Sequence, residues 1–275
     1  MLRLWRDRLT LAIAPDRIVL VRGSSGLQPK VKAKAIVPVT GVETGWKVAL
    51  NTLDKTLKSE RQWQDAAVSV VLSNAFVRYQ LVPWSDEIGS PDEREAYVRQ
   101  SFTQVYGDAA AEWAYVVSDV PRGAAWFVSA MERDLLLALE QSVTQSDSKL
   151  VSVAPHIMPA FNGVRRAMKH KDCWFVQVEN ERLFLAMIVG GHWQTLSSRQ
   201  IVGDLWQKEL PLLLEREWRL NGMSQVPREV VISAPEAHQA ALDGGGRWVF
   251  HWLRPTLRYG LAGRAAAPYA MALGA

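Results

Sequence analysis

The feature that constrains this sequence most is a hairpin pattern that occurs twice. Residues 174–193 contain two runs of β-branched and aromatic residues around a polar break at residues 179–182, and the second run ends at a pair of glycines. Residues 9–23 repeat this plan around the turn Pro15-Asp16-Arg17. Apolar runs of this kind around a short polar turn predict β-hairpins. Because the copies start about 165 residues apart in a chain of 275 residues, they predict a duplicated two-domain α/β fold.

The composition is that of a globular protein. With 48% hydrophobic and 22% charged residues, it excludes a disordered chain. Cys173 is the single cysteine, which excludes an internal disulfide and a cysteine-rich zinc site and favours a reducing compartment. The N-terminus lacks the apolar core of a signal peptide, and no stretch reaches the ~18 apolar residues of a membrane span. We therefore expect a cytosolic protein.

Positive charge is spread along the chain. The net charge of +4 permits attraction to an anionic membrane or an acidic peptide. Lys30, Lys32 and Lys34 alternate with apolar residues and share one face of a strand. They predict an edge strand protected from pairing, with a groove for an acidic partner as the alternative. The densest cluster, residues 165–171, predicts a solvated helix end, since a nucleic-acid patch would need more charge and stacking aromatics.

Apolar spacing and turn residues predict the remaining elements. The clearest is a helix from residue 90, where Ser90, Pro91 and Glu93 form a capping box and Gly107 ends the helix. Other predicted helices are 46–57, 134–143 (well buried), 155–168 (interrupted or kinked near Pro159), 204–220 (one helix, or two meeting at Pro211) and 237–242. Predicted strands are 66–72, 76–82, 113–119, 124–131, 150–153, 194–196, 228–233 and 248–253. Residues 258–275 predict either a final helix or a loose tail.

Catalytic signatures are absent from the sequence. It contains no P-loop pattern, no dinucleotide fingerprint and no serine nucleophile elbow. The glycine-rich segments 23–26 and 244–246 lack the lysine or helix of a phosphate cradle and predict loops. The histidines are scattered, with no pair at helical spacing for a metal (His156, His170, His192, His238 and His251). We therefore predict no catalytic residue and no metal site.

One segment carries a family resemblance. Residues 70–84, followed by the capped helix with residues 95–99, resemble the assembly-platform proteins of bacterial type IV pili and type II secretion, PilM and the cytoplasmic part of GspL. The hairpin that ends at residues 190–193 adds to this resemblance, which covers about residues 9–233. These motifs are strand patterns of moderate specificity rather than catalytic signatures.

The resemblance implies a fold and a division of the chain. The fold is expected to be α/β and actin-like (ribonuclease H-like), a duplicated two-domain fold with mixed sheets flanked by helices. The first half would span residues 1–170, with a subdomain inserted at about residues 85–149. The second half would span residues 171–275.

The turns that hold nucleotide in ATP-binding members of this fold are altered here. Those members carry a glycine in the hairpin turn, which lets phosphate approach the backbone. Neither turn here, residues 14–17 or 179–182, contains glycine, and Pro15 also lacks an N–H group. The adenosine loop, normally a glycine pair after a buried strand, would fall at residues 234–236, Ala-Pro-Glu. We therefore expect no cofactor and no efficient ATP hydrolysis; the alternatives are residual ATP binding and an active ATPase or kinase.

The resemblance also implies a function. It implies a non-catalytic cytoplasmic scaffold, peripheral to the inner membrane, that binds the cytoplasmic tail of a small single-span partner such as PilN or GspM. In PilM-like proteins the tail binds a groove on the first half, and Arg78, Tyr79 and Trp84 are candidate contacts because the matched strand leaves the sheet there. Ordinary sheet packing with a solvated arginine is the alternative for these residues.

Further partners follow from the same resemblance. They would be an assembly ATPase and a second copy of the chain, and nucleic acid is not expected among them. A basic nucleic-acid-binding module is the alternative, and DNA binding with a steep salt dependence would support it.

Overall fold

The computed structural model describes residues 6–26, 29–41, 45–168, 171–179, 182–201, 203–222, 227–234, 242, 245–253 and 266–274. The chain divides into two compact units, each assembled from separate segments. The first unit comprises Met1–Arg78, Met131–Pro159 and Pro255–Ala275, and the second comprises Tyr79–Ala130 and Ala160–Arg254. The predicted helix at 237–242 falls almost wholly outside the described residues.

Runs of one to three strands are separated by helices along the described chain. The strands are β1 (Asp7–Ile13), β2 (Arg17–Gly23), β3 (Val31–Pro38), β4 (Ala66–Leu72), β5 (Arg78–Val82), β6 (Trp113–Val117), β7 (Trp126–Glu132), β8 (Lys149–Pro155), β9 (Cys173–Glu179), β10 (Arg182–Val189), β11 (His192–Gln200), β12 (Glu229–Ser233) and β13 (Val249–Trp252). The helices are α1 (Trp46–Ser59), α2 (Pro91–Tyr106), α3 (Arg133–Thr144), α4 (Ile157–Met168), α5 (Trp206–Asn221) and α6 (Ala270–Leu273). This alternation is typical of an α/β protein.

Two five-stranded sheets share one topology. The first has the order β3-β2-β1-β4-β8, and the second has the order β11-β10-β9-β12-β13. In both, a three-stranded antiparallel meander is followed by two parallel strands. Each sheet has its hairpin at the same place in this order, so the duplication that the two hairpins predict is confirmed. The lysine-bearing strand β3 lies at the edge of its sheet, as its alternation predicts.

The first sheet is covered by helices on both faces. Helix α1 covers one face and buries three leucines there, Leu50, Leu53 and Leu57. On the other face, Ala272 and Leu273 of α6 pack with Ala12, Val19 and Val71 of the sheet. Residues 266–274 are therefore a packed final helix and its lead-in, and the loose tail is wrong for this part of the segment. Coverage of both faces explains why β1 and β2 are almost continuously apolar.

The core of the second unit is rich in tryptophan. Trp206, Leu210 and Leu214 of α5 pack on the buried face of the sheet. Trp174 of β9 meets Trp248 edge to face, with ring centroids 6.4 Å apart. This geometry adds to the large apolar area that each ring buries. Trp174, Trp206 and Trp248 therefore serve as core anchors.

Two predicted helices differ from the structure, and in a third the structure selects one of the two predicted alternatives. Helix α4 is not interrupted, because Pro159 lies in its first turn, where an N–H group has no partner within the helix. Helix α5 runs through Pro211 as one element, which is the first of the two predicted alternatives. The prediction that α3 is well buried is wrong in part, since the Leu137 side chain is 55% exposed.

A third, three-stranded sheet has the order β5-β7-β6 and packs against α2. The Ser90 side chain accepts a hydrogen bond from the Glu93 amide, and the Glu93 carboxylate accepts one from the Ser90 amide. The predicted capping box is therefore confirmed. The helix ends at Gly107, whose φ of 80° suits glycine. Phe102 and Trp126 fill the core between α2 and the sheet.

A half-buried ion cluster holds the start of β1 to its neighbours. The Asp7 carboxylate accepts hydrogen bonds from Arg22 Nε at 3.0 Å and Lys32 Nζ at 2.9 Å, and the Asp7 side chain is 16% exposed. Arg22 Nη1 also donates to the Gln64 carbonyl at 2.8 Å. Burial raises the pKa of Asp7, but the hydrogen bonds and charges of Lys32 and Arg22 outweigh it, so the pKa lies below its ordinary value.

Replacing Asp7→Asn should destabilise the first unit by about 1–3 kcal/mol at neutral pH, because two charge-assisted hydrogen bonds are weakened. A depressed carboxyl pKa stabilises the fold above the ordinary value of 3.8 and loses that contribution as pH falls through the folded-state pKa. The gap between wild type and variant in urea unfolding should therefore be constant from pH 7 to about 5 and shrink below about 4. Asp119→Asn at an exposed position is the control, and an equal loss in both variants would contradict the assignment.

Candidate functional site

The ends of the parallel strands in the first unit are joined by buried polar groups. The Ser73 amide donates to the Ile13 carbonyl at 2.8 Å, which links β4 to β1. The His156 amide donates to the Leu72 carbonyl at 2.8 Å, which links β8 to β4. Carboxyl ends of parallel strands are where α/β folds bind ligands. A ligand site is therefore expected at this edge.

Asn74 is the centre of this edge. It is 1% exposed, and its Oδ1 accepts a hydrogen bond from the Ile157 amide at 3.1 Å, at the start of α4. Ser73, also 1% exposed, accepts a hydrogen bond from the Ala75 amide through its hydroxyl. In the sequence these two residues lie between the predicted strands 66–72 and 76–82, and no structural role is predicted for them. A polar pair directly after a buried apolar run was the signal that could have revealed their structural role.

The β1–β2 turn lies at the same end of the sheet. Its Ala14 amide is already used, since it donates to the Arg17 carbonyl at 2.9 Å, and Pro15 has no N–H group. In the described chain the non-glycine residues of positive φ are Asp65 and Asp147, so the turn contains no left-handed residue. The turn therefore lacks the glycine-dependent backbone geometry that brings several amides onto one phosphate.

The matching turn of the second unit is described only in part. Glu179 at the end of β9 is 7% exposed, and residues 180–181 lie outside the described chain. At the end of β12 the description stops at Ala234, so the Pro235 and Glu236 of the predicted adenosine loop also lie outside it. Among the described residues, no group of three or more histidine, cysteine, aspartate or glutamate side chains could hold a metal ion.

The single thiol is not a nucleophile at neutral pH. Cys173 is 1% exposed, and burial, followed by the charges of Asp172 and Glu229, raises its pKa to about 11. Thiolate is the reactive form, and a pKa this high leaves almost none at pH 7. Cys173 therefore behaves as a small apolar side chain at the first residue of β9.

The structure places the three candidate partner contacts at and after β5. Arg78 is exposed, and its guanidinium donates to the carbonyls of Ala75 at 3.0 Å and Val77 at 3.2 Å. Tyr79 follows it in the strand and therefore points to the opposite face. Arg78 and Tyr79 are thus adjacent in sequence but do not share one face of the sheet.

Tyr79 and Trp84 both make aromatic contacts within the second unit. The Tyr79 ring stacks on Phe127, with centroids 5.7 Å apart, and meets Phe184 edge to face at 5.5 Å. The Trp84 ring lies 4.9 Å from that of Trp126, and its Nε1 donates to Asp86 at 3.2 Å. Both side chains are half-buried. They combine a packed ring with an exposed edge, a combination suited to contacts with another protein.

Strand β5 itself is an edge of the three-stranded sheet. An edge strand can pair with an extended peptide, whose backbone supplies affinity while its alternate side chains supply specificity. The Tyr79 carbonyl accepts a hydrogen bond from the Tyr106 hydroxyl at 3.4 Å. The candidate contacts at and after β5 therefore combine an edge strand, two half-buried aromatic rings and one exposed cation.

Solved structures with the same arrangement decide the fold. The chain superposes on PilM from a PilM–PilN type IV pilus biogenesis complex with a TM-score of 0.66, 13% identity and coverage of 97% of this chain and 96% of that one. It superposes on a protein of Bacteroides thetaiotaomicron with an actin-like ATPase fold with a TM-score of 0.56, 7% identity and coverage of 83% and 81%. The fold is actin-like.

A second assembly protein shares this actin-like fold. The cytoplasmic domain of EpsL, an inner membrane component of the type II secretion system of Vibrio cholerae, superposes with a TM-score of 0.55, 13% identity and coverage of 89% of each chain. The predicted likeness to PilM and to the cytoplasmic part of GspL is thereby confirmed at the level of fold. No family model and no curated protein sequence matches the chain. None of the helices in the described part of the chain has the length and hydropathy of a membrane span.

Removing the Asn74 side chain should loosen the strand ends. Asn74→Ala leaves the buried Ile157 amide without its acceptor, which should lower the free energy of unfolding by about 1–3 kcal/mol. Urea unfolding followed by fluorescence measures this loss. Asn51→Ala on the exposed face of α1 is the control and should change stability by less than about 0.5 kcal/mol. Equal stability of Asn74→Ala and wild type would refute the structural role.

Proposed function

We propose that this actin-like protein is a non-catalytic scaffold of a type IV pilus or type II secretion assembly platform. The observation that carries the proposal is the likeness to PilM over nearly the full length of both chains. The likeness to the EpsL cytoplasmic domain supports it, since that protein also belongs to an inner membrane assembly. Fold alone does not establish function, so the proposal also depends on what the site offers.

The strand-end region supports a role in holding proteins rather than in hydrolysing nucleotide. The β1–β2 turn contains Pro15, which has no N–H group, and it has no glycine, where a phosphate loop needs free amides close to the ligand. The buried polar groups at this edge, Ser73 and Asn74, already hydrogen-bond to backbone within the first unit. Neither has the exposed geometry of a nucleophile or general base.

The proposed partner is the cytoplasmic tail of a small single-span membrane protein, which would hold the scaffold at the cytoplasmic face of the inner membrane. PilM was solved as a complex with PilN, and a PilN-like or GspM-like protein is the corresponding partner here. We assign Arg78, Tyr79 and Trp84 as contacts for this tail. The exposed guanidinium and the two aromatic edges are side-chain types that dominate binding energy at protein interfaces.

Alanine variants test the partner-binding residues. Single changes Arg78→Ala, Tyr79→Ala and Trp84→Ala should each weaken the binding of a fluorescent tail peptide by 10-fold or more, about 1.4 kcal/mol or above. The peptide is the N-terminal cytoplasmic tail of a PilN-like membrane protein, and fluorescence anisotropy measures its binding. Trp46→Ala, an aromatic deletion on α1, is the control and should bind normally. Wild-type binding in all three variants would refute the assignment while leaving the scaffold role open to other contacts.

A nucleotide titration separates the scaffold from an actin-like ATPase. Isothermal calorimetry with MgATP should show no saturable binding at micromolar concentration, since the β1–β2 turn cannot direct several amides at a phosphate. A dissociation constant in the micromolar range, together with phosphate release above background, would overturn the non-catalytic proposal. ADP without magnesium serves as the control for weak, nonspecific nucleotide binding.

A further inference from the structure

One face of α5 exposes an unusual pattern of side chains to solvent. Its members are Leu205, in the turn that leads into the helix, followed by Glu209, Leu212, Arg216 and Leu220. The three leucines are 56%, 72% and 69% exposed, and both charged residues between them are exposed. The spacings of three and four residues place all five on one side of the helix. We call this set the outer face of α5.

The outer face is separate from the buried face of the same helix. Trp206, Leu210 and Leu214 point into the core of the second unit. On that side Glu217 is 8% exposed and pairs with Arg199 at 3.0 Å. The helix is therefore apolar on two sides, although a surface helix needs only one apolar stripe.

The two charges on the outer face form no ion pair with any described residue. By contrast, Glu215 on the same helix contacts both Arg219 at 2.9 Å and Arg247 at 2.5 Å. Glu209 and Arg216 are two helical turns apart, about 10 Å along the axis, which is too far for them to pair with each other. Each is left with a charge that a second surface could complement.

The order of these side chains is self-complementary when read in opposite directions. Along the helix the order is leucine, glutamate, leucine, arginine, leucine, and in reverse it is leucine, arginine, leucine, glutamate, leucine. When two copies of the helix run antiparallel, leucines therefore oppose leucines and each charge opposes a charge of the other sign. A twofold axis between Leu212 and Leu213 would place Leu205 against Leu220 of a second copy. The same axis places Glu209 against Arg216 of that copy, and the pairing occurs twice by symmetry. A single axis satisfies all of these pairings.

We propose that the outer face of α5 is a homodimer interface in which two copies pack antiparallel through this helix. The partner is a second copy because the leucines and the two charges of this face are complementary to the same face turned by a twofold axis. An unrelated partner would not require this symmetry. The inference is independent of the proposed tail binding, which uses residues at and after β5. The interface covers one helix face, less than the ~800 Å² per partner of a standard interface, so the dimer is weak, with a dissociation constant on the order of tens of micromolar.

Sedimentation equilibrium of the full chain tests the association. The weight-average mass should rise from the monomer value of 30.8 kDa towards twice that value between about 1 µM and about 500 µM, a range that brackets the expected dissociation constant. Leu212→Glu at the centre of the face should weaken association by at least 10-fold. Leu137→Glu, at the exposed leucine of α3, is the matched control and should associate like wild type. A wild-type protein that stays monomeric throughout, or a Leu212→Glu variant that associates normally, would overturn the proposal.

Charge exchange tests the predicted pairing. Glu209→Arg places arginine against Arg216 of the second copy and should weaken the dimer by several-fold, more strongly at low salt. The double variant Glu209→Arg/Arg216→Glu restores opposite charges and should recover wild-type association. If the double variant is as weak as the single one, the antiparallel register is wrong.

Cysteine cross-linking tests the direction of the two helices. Leu205→Cys and Leu220→Cys variants should form an intermolecular disulfide when mixed under mild oxidation, whereas each alone should not. In the antiparallel pair, two copies of position 205 lie about 22 Å apart along the axis, beyond the reach of a disulfide. The native Cys173 is buried and does not compete. Cross-linking of either variant alone, in preference to the mixture, would show a parallel pair and refute the proposal.

Discussion

Burial of the central strands on both faces is the constraint on which this structure depends. β1 is buried from Leu9 to Ile13, and β9 is buried along its whole length. A strand in this position has no water for its N–H and C=O groups, so it must be paired on both sides. Each is paired, with an antiparallel hairpin partner on one side and a parallel strand on the other. The helices follow from this requirement, because both faces of each sheet must then be covered.

The same requirement determines how polar groups are used at the strand ends. Ser73 and Asn74 are buried and hydrogen-bonded to backbone, and they join β4 to the segments beside it. In nucleotide-binding relatives of the fold, this edge has to leave amides free for phosphate. Here the β1–β2 turn contains Pro15, and its Ala14 amide is already bonded within the turn. The described polar groups of this edge, Ser73 and Asn74, therefore contribute to stability.

Much of the architecture could be read from local sequence. The two hairpins, the edge position of the lysine strand and the capping box at Ser90 all depend on residues close together in the chain. The candidate site was harder to predict from the sequence. Arg78 and Tyr79 are adjacent in sequence, but strand alternation sends them to opposite faces, and only the structure shows that the Tyr79 ring meets Phe127 and Phe184.

Local periodicity, turn residues and caps by themselves determined which segments become strands and helices, and the repeated hairpin determined that the fold is duplicated. Only the tertiary structure decided that residues 266–274 return to the first sheet and that Asn74 holds the start of α4. It also decided that Leu137 faces solvent, although the run of leucines in that helix predicts burial. The physical reason is that each of these outcomes depends on which distant segment covers a side chain, and a contact between distant segments leaves no periodic signal in the sequence around either one.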